Sequence, residues 1–167
     1  MYYAQIRKFD IANGPGVRSS LFVSGCTHRC LGCFNEDYRN FKYGHLWTKE
    51  VEDQFMNQLQ DPNILGVTIL GGEPMDQIRD QDLLKLIKRI KEEGQLNLWI
   101  YSGYTYEEIV SHPLRQEMLS YCDVLVDGKF VLKLRNLKLK FRGSSNQRII
   151  DVQSSLAKGC VQLSRYH

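Results

Sequence analysis

SSLFVSGCTHRCLGCFN, residues 19–35, sets the reading of the whole chain. Its first six residues, Ser19 to Ser24, centred on the apolar Leu21-Phe22-Val23, read as a buried strand. The remainder is a loop in which Cys26, Cys30 and Cys33 follow a Cys-x3-Cys-x2-Cys spacing around His28. A buried strand that runs straight into a chemically loaded loop points to an α/β sheet, where ligands collect at the carboxyl ends of the strands.

Outward from that stretch the same unit recurs. Ile64–Leu70 reads as a strand ending in Gly71-Gly72-Glu73-Pro74, Leu96–Ser102 as one ending in Ser102-Gly103-Tyr104, and Asp123–Asp127 as one ending in Asp127-Gly128-Lys129. Between them lie helices. Thr48 caps one through about Gln60. Asp80 starts another, with Leu83, Leu86, Ile87 and Ile90 as its apolar stripe and Gly94 as its stop. Thr105 and Glu108 form a capping box for a short helix that breaks near His112-Pro113, and a further short helix follows. LKLKF (Leu137–Phe141) and QRIIDV (Gln147–Val152) alternate like two more strands. Strands spaced by helices predict a mostly parallel sheet covered by helices. A complete barrel needs about 200 residues or more, so 167 residues suit a single α/β domain in the form of a partial, open (β/α) barrel. Residues 153–167 read either as a final packing element or as a loosely packed tail.

Composition narrows the setting. Hydrophobic residues at 43% and charged residues at 25% are ordinary for a globular domain. A net charge of +3 does not by itself imply nucleic-acid binding. The opening MYYAQIRKFDIANG has no apolar run suited to a signal peptide, and no stretch approaches the ~18 apolar residues of a membrane span. The expected location is the cytoplasm, where five cysteines are reduced thiols or metal ligands rather than disulfides.

The three loop cysteines admit several readings. A structural zinc site would need His28 or a distant residue as fourth ligand, yet a residue between two ligands in a tight loop tends to point away from the same ion. An electron-carrying iron–sulfur cluster takes four thiolates, and Cys122 or Cys160 would have to supply the fourth. Their ordinary reading is as small buried apolar residues. Thiols without any metal are a third case. The fourth is a [4Fe–4S] cluster held by three cysteines, with one iron left open for a substrate.

Cys-x3-Cys-x2-Cys after the first strand, followed by Gly71-Gly72-Glu73-Pro74 after the next, resembles the radical S-adenosylmethionine superfamily. Asn13-Gly14-Pro15-Gly16-Val17-Arg18 narrows the resemblance to the glycyl-radical activating enzymes. GCTHRCLGCFN, WIYSGYT, VLVDGKF and FRGSSNQR resemble the subgroup that acts on an anaerobic ribonucleoside-triphosphate reductase. The likeness runs from about residue 5 to residue 150. It implies a radical S-adenosylmethionine type of partial barrel and an oxidoreductase that forms a glycyl radical on the reductase, its protein partner. The implied cofactors are a [4Fe–4S] cluster and S-adenosylmethionine, and the implied electron source is a reduced flavodoxin-like donor. Cys26, Cys30 and Cys33 become the cluster ligands. Gly71, Gly72, Glu73 and Pro74 become the contacts to the methionine amino group, and Ser102, with Tyr104 beside it, a ribose or methionine neighbour. Where the superfamily often carries an aromatic residue before the third cysteine this chain has Gly32, so adenine packing falls to the backbone from Gly32 through Cys33 to Phe34. Asn13 replaces the acidic residue common in pyruvate formate-lyase activators. Pro15 and Gly16 are expected to frame the partner's peptide with Arg18 beside them, and Asp127 and Lys129 to lie at the same interface or beside the methionine. The alternatives are an activator of another glycyl-radical enzyme, such as pyruvate formate-lyase, and a non-catalytic iron–sulfur or zinc adaptor. Lys129, Lys133, Arg135, Lys138, Lys140, Arg142 and Arg148 occur with no intervening acid. They read as the solvated face of an amphipathic strand or as a docking face for an acidic partner.

Overall fold

The computed structural model describes residues 1–94 and 96–167. In chain order its elements are β1 (Tyr2–Asp10), β2 (Arg18–Val23), β3 (His45–Leu46), α1 (Lys49–Gln58), β4 (Gly66–Gly71), α2 (Asp82–Gly94), β5 (Asn97–Tyr101), α3 (Tyr106–Val110), α4 (Pro113–Ser120), β6 (Val124–Asp127), β7 (Arg148–Asp151) and α5 (Val152–Lys158). They build one open seven-stranded sheet in the order β3-β1-β2-β4-β5-β6-β7. The central strands β2, β4, β5 and β6 are parallel, whereas β1, β3 and β7 pair antiparallel at the flanks. The sheet is therefore mixed and does not close.

The register explains the helix-covered face. Leu21, Ile69, Ile100, Leu125 and Ile150 are successive cross-strand partners, one row across five strands. All five are fully buried in the main core with Phe55 of α1, Leu83, Leu86, Ile87 and Ile90 of α2, and Ile109 and Leu119. Each such side chain contributes roughly 1.5–3 kcal/mol of transfer free energy. The local stops behave as their residue types require. Thr48 Oγ1 accepts from Val51 N at 3.3 Å, and Thr105 and Glu108 complete the expected capping box. Alternation puts Arg18, Ser20, Thr68, Trp99, Val124 and Val126 on the opposite face. Among the described residues the apolar cluster on this face includes no helical side chain. Trp99 instead packs against Phe141 and Tyr166, with ring centroids 5.5 and 5.4 Å away.

Two expectations change. LKLKF is not a strand: Leu137 is 82% exposed, and Phe141 adopts a left-handed φ of 58°. Both edges of β6 are already paired, by β5 and β7, so alternation alone finds no ladder to join. Of residues 153–167, left open between a packing element and a loose tail, Ser155 is buried and Ser164 N donates to Ile149 O at 2.8 Å. Arg18 is the second change. It was expected beside a partner peptide, but it is 1% exposed. Its Nε donates to Thr68 Oγ1 (2.7 Å), Nη2 to the carbonyls of Val67 (2.7 Å) and Asn97 (2.9 Å), and Nη1 to Asn97 Oδ1 (3.2 Å). Thr68 in turn donates to Asn13 O at 2.8 Å. Burial lowers the guanidinium pKa to about 10. This loop precedes β2, so Pro15 and Gly16 sit at the amino ends of the parallel strands, the rim opposite the cysteines.

Arg18→Met keeps the length of the side chain but strands two carbonyls and the Asn97 amide without their donors. A loss of about 3 kcal/mol is expected, which for a domain of this size lowers the melting temperature by roughly 6–12 °C. An unchanged melting curve would show that the buried fork holds nothing together.

Candidate metal centre

The loop that leaves β2 is sewn to the loop that leaves β4. Gly72 N donates to Val23 O (2.7 Å) and Glu73 N to Gly25 O (2.8 Å), while Gly25 N donates to Tyr38 O (2.7 Å). Only glycine fits this seam. Gly71 has φ +109°, and a Cβ on Gly72 would stand 2.5 Å from Gly25 O.

Glu73 lies beneath the seam, 1% exposed. Its Oε1 accepts from Met75 N (2.9 Å) and Ser102 Oγ (2.8 Å), and its Oε2 from Gly103 N (2.7 Å). The carboxylate thus ties the β4 loop to the β5 loop, and Gly128 N reaches Tyr104 O at 3.2 Å to bring in the β6 loop. The four loops singled out from the sequence form one continuous rim.

Cys26, Cys30 and Cys33 are free and half-buried. Burial, followed by the charge of Glu73, pushes the Cys26 thiol up to about 12. A thiol so placed keeps its proton until a metal displaces it. Asn35 N points at Cys33 Sγ from 3.4 Å, and such N–H···S contacts are among the factors that set cluster potentials. Arg39 Nη2 holds the loop at Cys30 O, 2.8 Å away. His28 is occupied elsewhere. Its Nε2 lies 3.2 Å from Glu73 Oε2 without a hydrogen bond to it, and its ring packs 4.4 Å from that of Tyr104.

A second brace comes from residues that sequence reasoning passed over. Asp76 Oδ2 accepts from Thr27 N and Oγ1, both at 2.8 Å, and Oδ1 accepts from Tyr104 Oη at 2.9 Å. Arg115 donates to Met75 O at 2.9 Å and stacks 3.9 Å over the Tyr104 ring. Asp76 follows the Gly-Gly-Glu-Pro run by two residues, which was the available signal. Arg115 sits on a separate helix and had none.

The donor chemistry, three thiols on one short loop, is that of an iron–sulfur cluster, in which each thiolate takes its own iron. Among the described residues no three or more His, Cys, Asp or Glu side chains are grouped to hold a single metal ion. The remaining cysteines lie elsewhere. Cys122 is buried just before β6, at the opposite rim, where it donates to Met118 O. Cys160 follows α5, exposed and bonded by Gln162. The loop therefore brings three thiols and no fourth.

The other expected site residues fall as follows. Pro74 is buried at the start of a short turn of helix. Gly32 has φ +70° and faces Leu132. Phe34 is exposed, its ring 5.2 Å from Phe130. Asp127 is not a surface contact: 1% exposed, it accepts from Tyr106 N (2.8 Å) and from Arg148 Nε (3.0 Å) and Nη2 (2.5 Å). Lys129 is exposed.

A sequence family described as a 4Fe-4S single cluster domain matches residues 12–150. The chain is 41% identical over 152 residues to the anaerobic ribonucleoside-triphosphate reductase-activating protein of Vibrio cholerae, covering 89% of this chain and 97% of that one. It is 42% identical over 151 residues to the protein of that name from Escherichia coli K12, covering 88% and 96%. To the phage T4 protein of that name it is 37% identical over 150 residues, covering 89% and 93%.

Proposed function

The chain belongs to the family of anaerobic ribonucleoside-triphosphate reductase-activating proteins and carries a 4Fe-4S single cluster domain, and from that premise we propose that it activates such a reductase by placing a glycyl radical on it. When bound, the cluster would supply the one electron needed for reductive cleavage of S-adenosylmethionine, the chemistry by which a hydrogen atom would be taken from the glycine.

The residues divide this task. Cys26, Cys30 and Cys33 would hold three irons and leave one for the methionine end of S-adenosylmethionine. The Gly71–Pro74 loop would accept from its ammonium, with the Glu73 charge beneath that loop favouring a cation. Ser102 holds Glu73 in place, and the backbone from Gly32 to Phe34 would lie against the adenine. The open sheet is read as the partial barrel of the radical S-adenosylmethionine type, and the electron donor as a reduced flavodoxin-like protein. The proposed setting is the cytoplasm, where unpaired thiols stay reduced. No helix among the described residues is long and apolar enough to cross a membrane.

One observation carries the reading: three free thiols on a loop sewn to the Gly71–Glu73 seam, with no fourth at hand. The test is to mix the oxygen-free, cluster-loaded and reduced protein with S-adenosylmethionine and the reductase. A glycyl-radical paramagnetic signal and matching 5′-deoxyadenosine are expected. A signal that forms only with another glycyl-radical enzyme would reject the reductase as target.

A further inference from the structure

Beside the cysteine loop lies a surface that the sheet does not explain. Leu31 (77% exposed), Phe34 (62%), Leu132 (41%), Leu134 (43%) and Leu137 stand open to solvent. Single exposed apolar residues are common on any protein, but these lie on two segments that meet where Gly32 and Phe34 touch Leu132 and Phe130. Leu132 packs on Gly32, whose added Cβ would meet it at 3.1 Å. Phe34 rests on Phe130, and the Arg135 guanidinium covers its ring at 5.1 Å.

The lip is also strongly basic. Residues 129–142 hold Lys129, Lys133, Arg135, Lys138, Lys140 and Arg142 without an acid, in a chain whose net charge is only +3. Among the described residues none of these six forms a salt bridge, whereas Arg89, Lys91 and Arg148 all do. An amphipathic strand would have hidden the leucines and wetted the lysines. Here both face outward.

The lip is preformed. Ser145 N donates to Leu134 O (2.9 Å), Asn136 N to Gly143 O (3.2 Å) and Val131 N to Ser144 Oγ (3.1 Å). A partner docking here would not have to order it, which keeps the entropic cost of binding low.

Resting on the activation reading above, we propose that this lip, residues 129–142 with Leu31 and Phe34, is the docking surface for the reductase, and that it fits a patch with an apolar centre and an acidic rim. The occupant follows from placement. Whatever covers the lip also covers the cysteine loop and excludes water from the rim. Such closure is required of the macromolecule that delivers the glycine, whereas an electron donor needs only a brief approach. The expected partner turn at Pro15, Gly16 and Arg18 lies at the other end of the sheet, and Asp127 is buried under Arg148, so neither competes for this role.

Two variants test the assignment. Lys133→Glu with Lys138→Glu and Lys140→Glu reverses the rim, and Leu137→Ser weakens the centre; at exposed sites both should fold with stability changes within about 0.5 kcal/mol. Each is expected to weaken binding of the cluster-loaded protein to the reductase by about tenfold or more, measured by calorimetry, and wild-type affinity should fall as salt rises. Iron content, S-adenosylmethionine binding and its dithionite-driven cleavage without reductase should stay at wild-type levels. Unchanged reductase affinity in both variants overturns the proposal. If reduction by a flavodoxin slows at the same time, the lip belongs to the electron donor. Wild-type protein that binds the reductase yet produces no glycyl radical would instead refute the activation reading and leave the docking surface standing.

Discussion

Replacing any one of Cys26, Cys30 and Cys33 by Ala is expected to strip the cluster iron and abolish glycyl-radical formation. Cys122→Ala combined with Cys160→Ala should leave both at wild-type levels. The asymmetry follows from position. The three loop thiols sit on a segment pinned at Gly25, Thr27 and Cys30 O by partners from two other stretches of the chain, Tyr38–Arg39 and Glu73–Asp76, which holds them together at the rim. Cys122 lies across the sheet from them, where burial pushes its thiol well up and favours a neutral core residue. Its loss should cost about 1 kcal/mol of stability and nothing else. Iron and sulfide analysis on oxygen-free protein decides the matter. A double variant that loses its iron would mean a fourth protein ligand, and the open iron would be gone.

Glu73→Gln is expected to have the second-largest effect, on two readouts. The carboxylate accepts three hydrogen bonds in a site closed to water. An amide has one accepting oxygen, so its NH2 must confront Gly103 N–H or the Met75 N–H and Ser102 hydroxyl donors. A buried clash of donors costs about 3 kcal/mol, or roughly 6–12 °C in melting temperature. The charge under the Gly71–Gly72 seam also disappears, and S-adenosylmethionine affinity should drop about tenfold or more, a loss that equilibrium dialysis on cluster-loaded protein would read. A fall in melting temperature with unchanged affinity would leave Glu73 as a brace for the loops and remove it from cofactor recognition. Unchanged values in both would contradict the burial itself.

Much of the rim was legible because its signals are local. A strand followed at once by Cys-x3-Cys-x2-Cys, Gly-Gly-Glu-Pro, Ser-Gly-Tyr or Asp-Gly-Lys places that loop at a carboxyl end, provided the strands are parallel. The helix between each pair makes them so. The Thr105–Glu108 box and the Thr48 cap are equally local, since a side chain three residues away meets its backbone partner in one turn.

The rest depended on partners distant in sequence. The flanking strand β1 has no unbroken apolar run, because one edge only meets the two-residue β3. LKLKF carries a strand's alternation but joins no strand, since both edges of β6 are taken by β5 and β7. Arg18 and Asp127 look like surface charges in a one-dimensional pattern, yet each is enclosed by groups tens of residues away. Asp76 braces the cysteine loop with no signal but its place two residues after Gly-Gly-Glu-Pro, and Arg115, which supports it through Met75 and Tyr104 from a separate helix, has no local signal at all.

By itself, then, the order of residues determined the βα repeat, the three-thiol loop and the glycine-lined seam, because hydrophobic period, ligand spacing and backbone freedom are properties of neighbouring positions. Only the tertiary structure decided which charges are internal and which face solvent. Desolvation depends on what the folded chain packs around a group, so it buries Arg18 and Asp127 and leaves the lysines of the lip outside.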